Sequence, residues 1–251
     1  PATVKTIGMT AFAMTGIETM VIPNSVVNIE SQLFQDCKRL KSVTLPTGMT
    51  TIPTVMFSGC TALEEITLPS QVREIEWEAF CGCTTLSYVY MDAAVTEIRD
   101  KAFADCPNLL QFVCNAAAVP HLGVDVFKGS YVEYTTLYIP NSLKSNYVSA
   151  PWTNFSTIAD ITTATKQPTP AVRNTNIGGI NYTLFDKGYF AEVARNESLT
   201  GNITINPTVT DGANTYSVVT ITPQAFQGSQ ITGVDIANSV TTIGRAAFEG
   251  C

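Results

Sequence analysis

The chain reads as a repeat solenoid, mostly β with short turns and helical segments, and two periodicities carry that expectation. Phe12, Phe34, Phe57, Phe80, Phe103 and Phe127 recur at intervals of 22, 23, 23, 23 and 24 residues, and Cys37, Cys60, Cys83 and Cys106 recur at 23, 23 and 23. A fixed period in the twenties belongs to units that each supply one strand and one return segment and bury their apolar side only against the next unit. At 251 residues, 45% apolar and 14% charged, the chain has enough hydrophobic material for such an interior.

Gapless units run from Ile17 to Arg39, Leu40 to Ala62, Leu63 to Thr85 and Leu86 to Asn108. Each opens with an apolar alternation: Ile17, Met20, Ile22; Leu40, Val43, Leu45; Leu63, Ile66, Leu68; Leu86, Val89, Met91. This is the L-x-x-L-x-L signature of a leucine-rich repeat, in which the strand period of two turns these side chains inward and leaves the residues between them outside. Pro23, Pro46 and Pro69 end the first three strands, because proline has no N–H for a ladder. A second apolar pair follows in each unit (Val26 and Ile29, Met49 and Ile52, Val72 and Ile75, Val95 and Ile98), marking a return segment expected to be a short strand or extended turn. The recurring Phe and then the Cys complete the unit. Stacked parallel units point equivalent cysteines the same way about one strand spacing apart, a poor geometry for a disulfide, so the column is read as buried free thiols. Cys81 lies outside the column and is expected to be the most exposed cysteine.

The segments Val26-Val27-Asn28-Ile29 through Cys37, and Val72-Arg73-Glu74-Ile75 through Ala79-Phe80-Cys81-Gly82-Cys83, resemble the V-x-x-I-x-x-x-A-F-x-x-C repeat of the BspA-like leucine-rich-repeat bacterial surface proteins. Leu33-Phe34 and Met56-Phe57 depart from it in lacking the alanine. The resemblance implies a secreted or cell-surface protein of a group linked to adhesion, acting on a host or bacterial surface protein or on a glycan.

After Leu109 the pattern loosens: Cys114 replaces an aliphatic strand residue and Phe127 arrives one position late. Thr136 to Pro140 reads as one more strand, followed by a short helix capped by Asn141 or Ser142 and stopped by Pro151. Leu143, Tyr147, Trp152 and Phe155 would then close the stack. Residues 1–158 are therefore expected to be a first array with a lid over about 136–158. The Thr- and Pro-rich stretch 159–171 has no apolar period and reads as a linker. Residues 172–251 are expected to hold a β-rich cap and the start of a second array. In the cap, Ile180 to Phe185 and Tyr189 to Val193 would flank an Asp186-Lys187-Gly188 hairpin loop. Val4, Ile7, Phe12, Ile17, Ile29, Phe34 and Cys37 recur as Val218, Ile221, Phe226, Ile231, Ile243, Phe248 and Cys251 at an offset of 214. Both termini thus cut through arrays, which suggests tandem modules in a longer protein and self-association through an uncapped end near Phe248 and Cys251.

The formal charge of -7, without a basic run, argues against nucleic acid, whose binding needs a concentrated cationic face. No stretch approaches 18 uninterrupted apolar residues, so no membrane span is expected. No leader precedes a hydrophobic segment, so an export signal would lie upstream or have been removed. His121 is the one histidine and reads as a structural residue, in a turn or partly buried; no nucleophile pairs with it. No phosphate loop, calcium loop or metal-ligand spacing is present, so no catalytic residue, metal or cofactor is assigned. Carboxylate pairs such as Glu64 with Glu65 and Glu76 with Glu78 suit a solvated face.

The outward strand columns read Thr19, Ser42, Glu65, Tyr88, Gln111 and Val21, Thr44, Thr67, Tyr90, Val113. Tyr88 and Tyr90 stand on one side of a strand, about 7 Å apart, beside Glu65 and Thr67. These four form the candidate partner-binding face, suited to an extended protein or glycan partner, since exposed tyrosines are enriched at interfaces. The expected function is a non-catalytic adhesin-like module at the cell surface or outside the cell. The alternative is a structural spacer that binds nothing.

Overall fold

A computed structural model describes residues 3–251, which divide into two compact units, one ending at Thr169 and one running from Pro170 to Cys251.

The first unit is a parallel solenoid. Its front strands are Thr19–Val21, Ser42–Thr44, Glu65–Thr67, Tyr88–Met91, Gln111–Cys114, Thr136–Ile139 and Thr157–Asp160. The first two pair with each other and the other five form one parallel sheet in chain order. The return segments are two-residue strands, Thr51–Ile52, Glu74–Ile75, Glu97–Ile98 and His121–Leu122, which make a second parallel sheet. Pairing is in the repeat register throughout: Ile66 opposes Val89, and Val89 opposes Phe112.

Between the sheets the phenylalanines stack. Ring centroids of Phe34 and Phe57, Phe57 and Phe80, and Phe80 and Phe103 lie 5.5, 5.1 and 5.0 Å apart, with interplanar angles falling from 17° to 9° to 2°. Near-identical neighbours let each unit repeat the rotamer of the last, so one face of each ring buries the other. Phe127, despite its late position, still reaches Phe103 at 6.0 Å. Phe112 meets both rings edge-on, at 5.0 and 5.2 Å.

The cysteine column has a second role. Cys37 Sγ donates to the Phe12 carbonyl at 2.9 Å, Cys60 to Phe34 at 3.1 Å, Cys83 to Phe57 at 3.1 Å and Cys106 to Phe80 at 3.2 Å. Each thiol thus gives the phenylalanine carbonyl of the preceding turn a second donor, beside the backbone amide three residues on that it already accepts from. Where the column runs out, Ser130 takes over: its hydroxyl donates to the Phe103 carbonyl at 2.6 Å and accepts from the Cys106 amide at 2.9 Å. Burial holds the Cys60 and Cys83 thiols far above their usual range. All seven cysteines are free. Cys81 is half-buried and Cys251 is the exposed one; the Cys81 carbonyl accepts from the Gly59 amide of the preceding turn at 2.8 Å.

Around each phenylalanine the chain enters the left-handed region. Gln32, Val55, Glu78 and Lys101, two positions before the ring, have φ of 62°, 58°, 51° and 55°. Two positions after it stand Asp36, Gly59, Gly82 and Asp105 at 56°, 73°, 74° and 52°. A Cβ at Gly59 would come 2.5 Å from the Asp36 carboxylate, which would have to shift, so glycine is favoured there by contact as well as by φ.

The expected short helix is instead a 3-10 segment, Asn141–Asn146, with Pro140 at the N-cap position and no side-chain cap. Asn141 and Ser142 are themselves within the turn, so neither can cap it. Beyond it Tyr147, Trp152 and Phe155 are buried. Trp152 lies 6.1 Å from Phe127 and 5.1 Å from Tyr147, and Phe155 lies 5.2 Å from Phe127. These rings cover the last turn of the stack, and Thr157–Asp160 adds a further strand in parallel to Thr136–Ile139.

In the second unit Ile180–Phe185 pairs antiparallel with Phe190–Val193 on one side and with Val172–Ile177 on the other. The Val172–Ile177 hairpin turns on Gly178 and Gly179, with φ of 61° and 89°. Two adjacent positive φ values are what a two-residue turn between twisted strands requires. Arg173 fastens this cap by donating to Asp211 and Asp186 at 2.8 Å each, while the Tyr216 hydroxyl donates to Asp186 at 2.7 Å. Repeat geometry then resumes. Thr220 and Ile221 pair with Thr242 and Ile243, as Thr6 and Ile7 pair with Asn28 and Ile29. Phe248 is partly buried and stacks on Phe226 at 5.2 Å. Among the described residues no helix is long and apolar enough to cross a membrane.

Candidate binding face on the front strands of the first unit

Parallel pairing without a register shift sets the outward residues in rows. Glu65 opposes Tyr88, which opposes Gln111; Thr67 opposes Tyr90, which opposes Val113. The four residues expected to form a face therefore do lie side by side on two neighbouring strands. Glu65 and Thr67 are exposed, whereas Tyr88 and Tyr90 are half-buried. Burial, and secondarily Tyr90, raises the Tyr88 phenol above its ordinary range.

Part of the cover over Tyr88 comes from the stretch read as a linker. After Thr157–Asp160 and a 3-10 turn over Ile161–Thr163, capped by the Asp160 carboxylate accepting from the Thr162 amide at 2.9 Å, the chain returns over the front sheet. Gln111 receives it with both ends of its amide: Nε2 donates to the Thr165 carbonyl at 2.9 Å, and Oε1 accepts from the Gln167 backbone amide at 2.7 Å. Gln111 is 2% exposed. Between these two contacts the Lys166 ammonium pairs with the Glu65 carboxylate and stands 5.8 Å from the Tyr88 ring centre. Further on, the Thr169 hydroxyl lies 3.0 Å from that of Ser87 and donates to Glu64 at 3.3 Å.

Gln111, Ser87 and Lys166 were not singled out from sequence. Gln111 stands in the outward column next to Tyr88, and that was its only sequence signal. Lys166 lies in a stretch with no apolar period, because its contacts are polar. Nothing local announces a contact across 54 or more residues.

Several other titratable groups are engaged in the framework. Glu76 accepts from the Thr54 amide and hydroxyl at 2.8 Å each, and Glu30 accepts from the Met9 amide at 2.8 Å. Both border an open groove of about 550 Å³ between residues 26–31 and 46–53. Glu78 pairs with Lys101 at 3.5 Å. His121 lies on a return strand rather than in a turn and is exposed, 3.7 Å from Glu97. Strand alternation points it away from the interior that Leu122 faces. Among the described residues no three His, Cys, Asp or Glu side chains are grouped to hold a metal.

Comparisons with known proteins agree with the repeat. No curated protein matches the chain. Among solved structures, a leucine-rich repeat protein from Bacteroides ovatus ATCC 8483 is 19% identical, aligned over 100% of this chain and 63% of its own, with a TM-score of 0.48. A leucine rich cell surface protein from Faecalibacterium prausnitzii A2-165 is 20% identical over 98% of this chain and 62% of its own, with a TM-score of 0.41. The pneumococcal vaccine antigen PcpA is 16% identical over 98% and 54%, with a TM-score of 0.45. This chain thus spans less than two thirds of the length of each. Residues 5–133 and 202–251, more than half of the chain, match the model of the BspA type leucine rich repeat region in six copies. The chain belongs to the BspA type leucine-rich-repeat family.

Proposed function

We propose that the chain is a non-catalytic module of a cell-surface or secreted protein, and that it binds a protein or glycan partner through the front strands of its first unit. The observation that carries this reading is the pairing of Glu65 with Tyr88 and of Thr67 with Tyr90: an acid, a hydroxyl and aromatic surface set in register on a parallel sheet. Rigid strands fix these groups before a partner arrives, which lowers the ordering cost of association. Tyrosine supplies apolar area together with a hydroxyl, a combination common at protein contacts and able to stack on sugars. Surface placement rests on membership of the family and on the resemblance of the repeats to surface proteins.

The test is capture by the immobilised chain of purified host and bacterial surface proteins, and of glycans on an array, compared with a Tyr88→Ala, Tyr90→Ala double variant. Binding lost in the variant, with its melting transition retained, is the expected result. Capture that is indifferent to both tyrosines would move the contact elsewhere. A spacer role, with no partner for the wild type under any of these conditions, would replace the proposal.

A further inference from the structure

We propose that the front face over Glu65, Tyr88 and Gln111 is a receptor for an extended peptide carrying a lysine, and that the chain's own Thr165–Thr169 segment sits on it as a tethered competitor. This deepens the reading of the face as a binding surface and rests on it.

The geometry of Gln111 is the starting point. One side-chain amide reads a carbonyl and an N–H two residues apart, at 2.9 and 2.7 Å. That is recognition of extended backbone, and it does not depend on the side chains of the bound segment. A glutamine that is 2% exposed must have both its donor and its acceptor satisfied, and here a strap of exposed residues satisfies them. Thr165, Lys166, Gln167 and Pro168 themselves remain exposed. None of them belongs to the hydrophobic core.

Specificity enters at the residue between the two backbone contacts. Lys166 meets a carboxylate and an aromatic face together, at Glu65 and Tyr88. A cation is favoured by both, and an acidic residue at this position would be repelled by Glu65. Pro168 and Pro170 keep Gln167 and Thr169 extended, so the segment is already shaped for a sheet face. Thr169 closes the far end on Ser87 and Glu64.

All these contacts are polar and border solvent, so water replaces each of them when the strap lifts. What favours the strap over a free peptide is its attachment, which sets a local concentration of about millimolar order. An incoming segment therefore gains the face when it supplies the same lysine and backbone pattern together with further contacts, for example on Thr67 and Tyr90.

The experiment uses the full chain and a fluorescein-labelled peptide of residues 164–169. Two opened variants are compared with wild type: one with residues 165–169 replaced by Gly and Ser, and one carrying Lys166→Glu with Gln167→Pro, which removes the cation and the N–H that Gln111 accepts. Fluorescence anisotropy is expected to show saturable binding to the opened forms and at least tenfold weaker binding to wild type. Glu65→Gln added to an opened form, or a peptide with glutamate in place of lysine, should each weaken binding at least tenfold. Absence of saturable binding to either opened form while its tryptophan-monitored melting is retained overturns the proposal. So does equal binding of the glutamate peptide. Retained capture of a glycan or folded protein by an opened form that ignores the peptide would overturn this inference and leave the broader binding role standing; loss of both would remove both.

Discussion

Truncating Phe80 to alanine tests the central physical claim, that each turn is held by the same ring resting on its neighbours. Phe80 is fully buried and has Phe57 on one side at 5.1 Å and Phe103 on the other at 5.0 Å. Removing a buried Phe side chain costs ~3–5 kcal/mol where the surroundings cannot collapse, and loss of two ring pairs places the effect in the upper part of that range. Phe12 supplies the internal control. It is partly buried and stacks on Phe34 at 5.8 Å, so its truncation should cost roughly 1.5 kcal/mol, near the low end for burying such a side chain. Both tryptophans, Trp77 and Trp152, lie in the first unit, so tryptophan fluorescence follows that unit alone through a urea titration. With a slope of about 2 kcal/mol per molar, the Phe80 variant should lose roughly 2 M in midpoint and the Phe12 variant less than 1 M. Equal shifts for the two variants, or a Phe80 shift below about 0.5 M, would refute cumulative stacking as the source of stability.

Two further outcomes follow from the same interior. Ser130→Ala leaves the Phe103 carbonyl and the Cys106 amide without the hydroxyl that serves both, so it should cost ~2–4 kcal/mol; Ser130→Cys, which restores the column, should cost ~1 kcal/mol or less in the same urea titration. Asp105→Asn should stabilise the fold at neutral pH. Burial, before any charge effect, raises the Asp105 carboxyl above the usual carboxylate range. A raised value in the folded state means the protonated form favours folding, so the stability from this group is full below its unfolded value and is lost as pH rises through its folded one. The gain from asparagine should accordingly be present at pH 7 and vanish toward pH 3 in parallel melts; a gain that persists there would assign it to something other than charge.

The parts legible in sequence were those that repeat. The front strands, the return strands, the phenylalanine stack and the buried thiols each recur at one spacing, and a single register places them all. The left-handed residues recur too, two before and two after each ring, but they carry Gln, Val, Glu, Lys, Asp and Gly in turn. No residue type marks the position before the ring, whereas the position after it carries Asp or Gly in each of these turns, residues that tolerate the left-handed region. The Val172–Ile177 hairpin does carry a sequence signal, the adjacent Gly178-Gly179 directly before the Ile180 to Phe185 run. The strap carried none, since Thr165 to Thr169 have no period and their partners lie on the far side of the turn closed by Trp152 and Phe155.

The repeat also determines where recognition can reside. In five successive turns, from Phe12 to Phe103, a thiol or Ser130 donates to the carbonyl of the phenylalanine within 2.6 to 3.2 Å. Glu30 and Glu76 are likewise committed to backbone amides between turns. These groups are thus engaged in the stack, and burial keeps the Cys60 and Cys83 thiols protonated. What the period leaves free to vary is the outward column, since a residue there faces away from the phenylalanine stack. Along Thr19, Ser42, Glu65, Tyr88 and Gln111 that column changes from small hydroxyls to a carboxylate, a ring and an amide. The change falls on the strands where the strap is seated. A stretch with no packing reason to differ from its neighbours, yet matched group for group by an extended segment, is what a recognition surface on a solenoid should look like. If Ser42 and Thr44 bound the 164–169 peptide as well as the Glu65 row does, that match would be incidental.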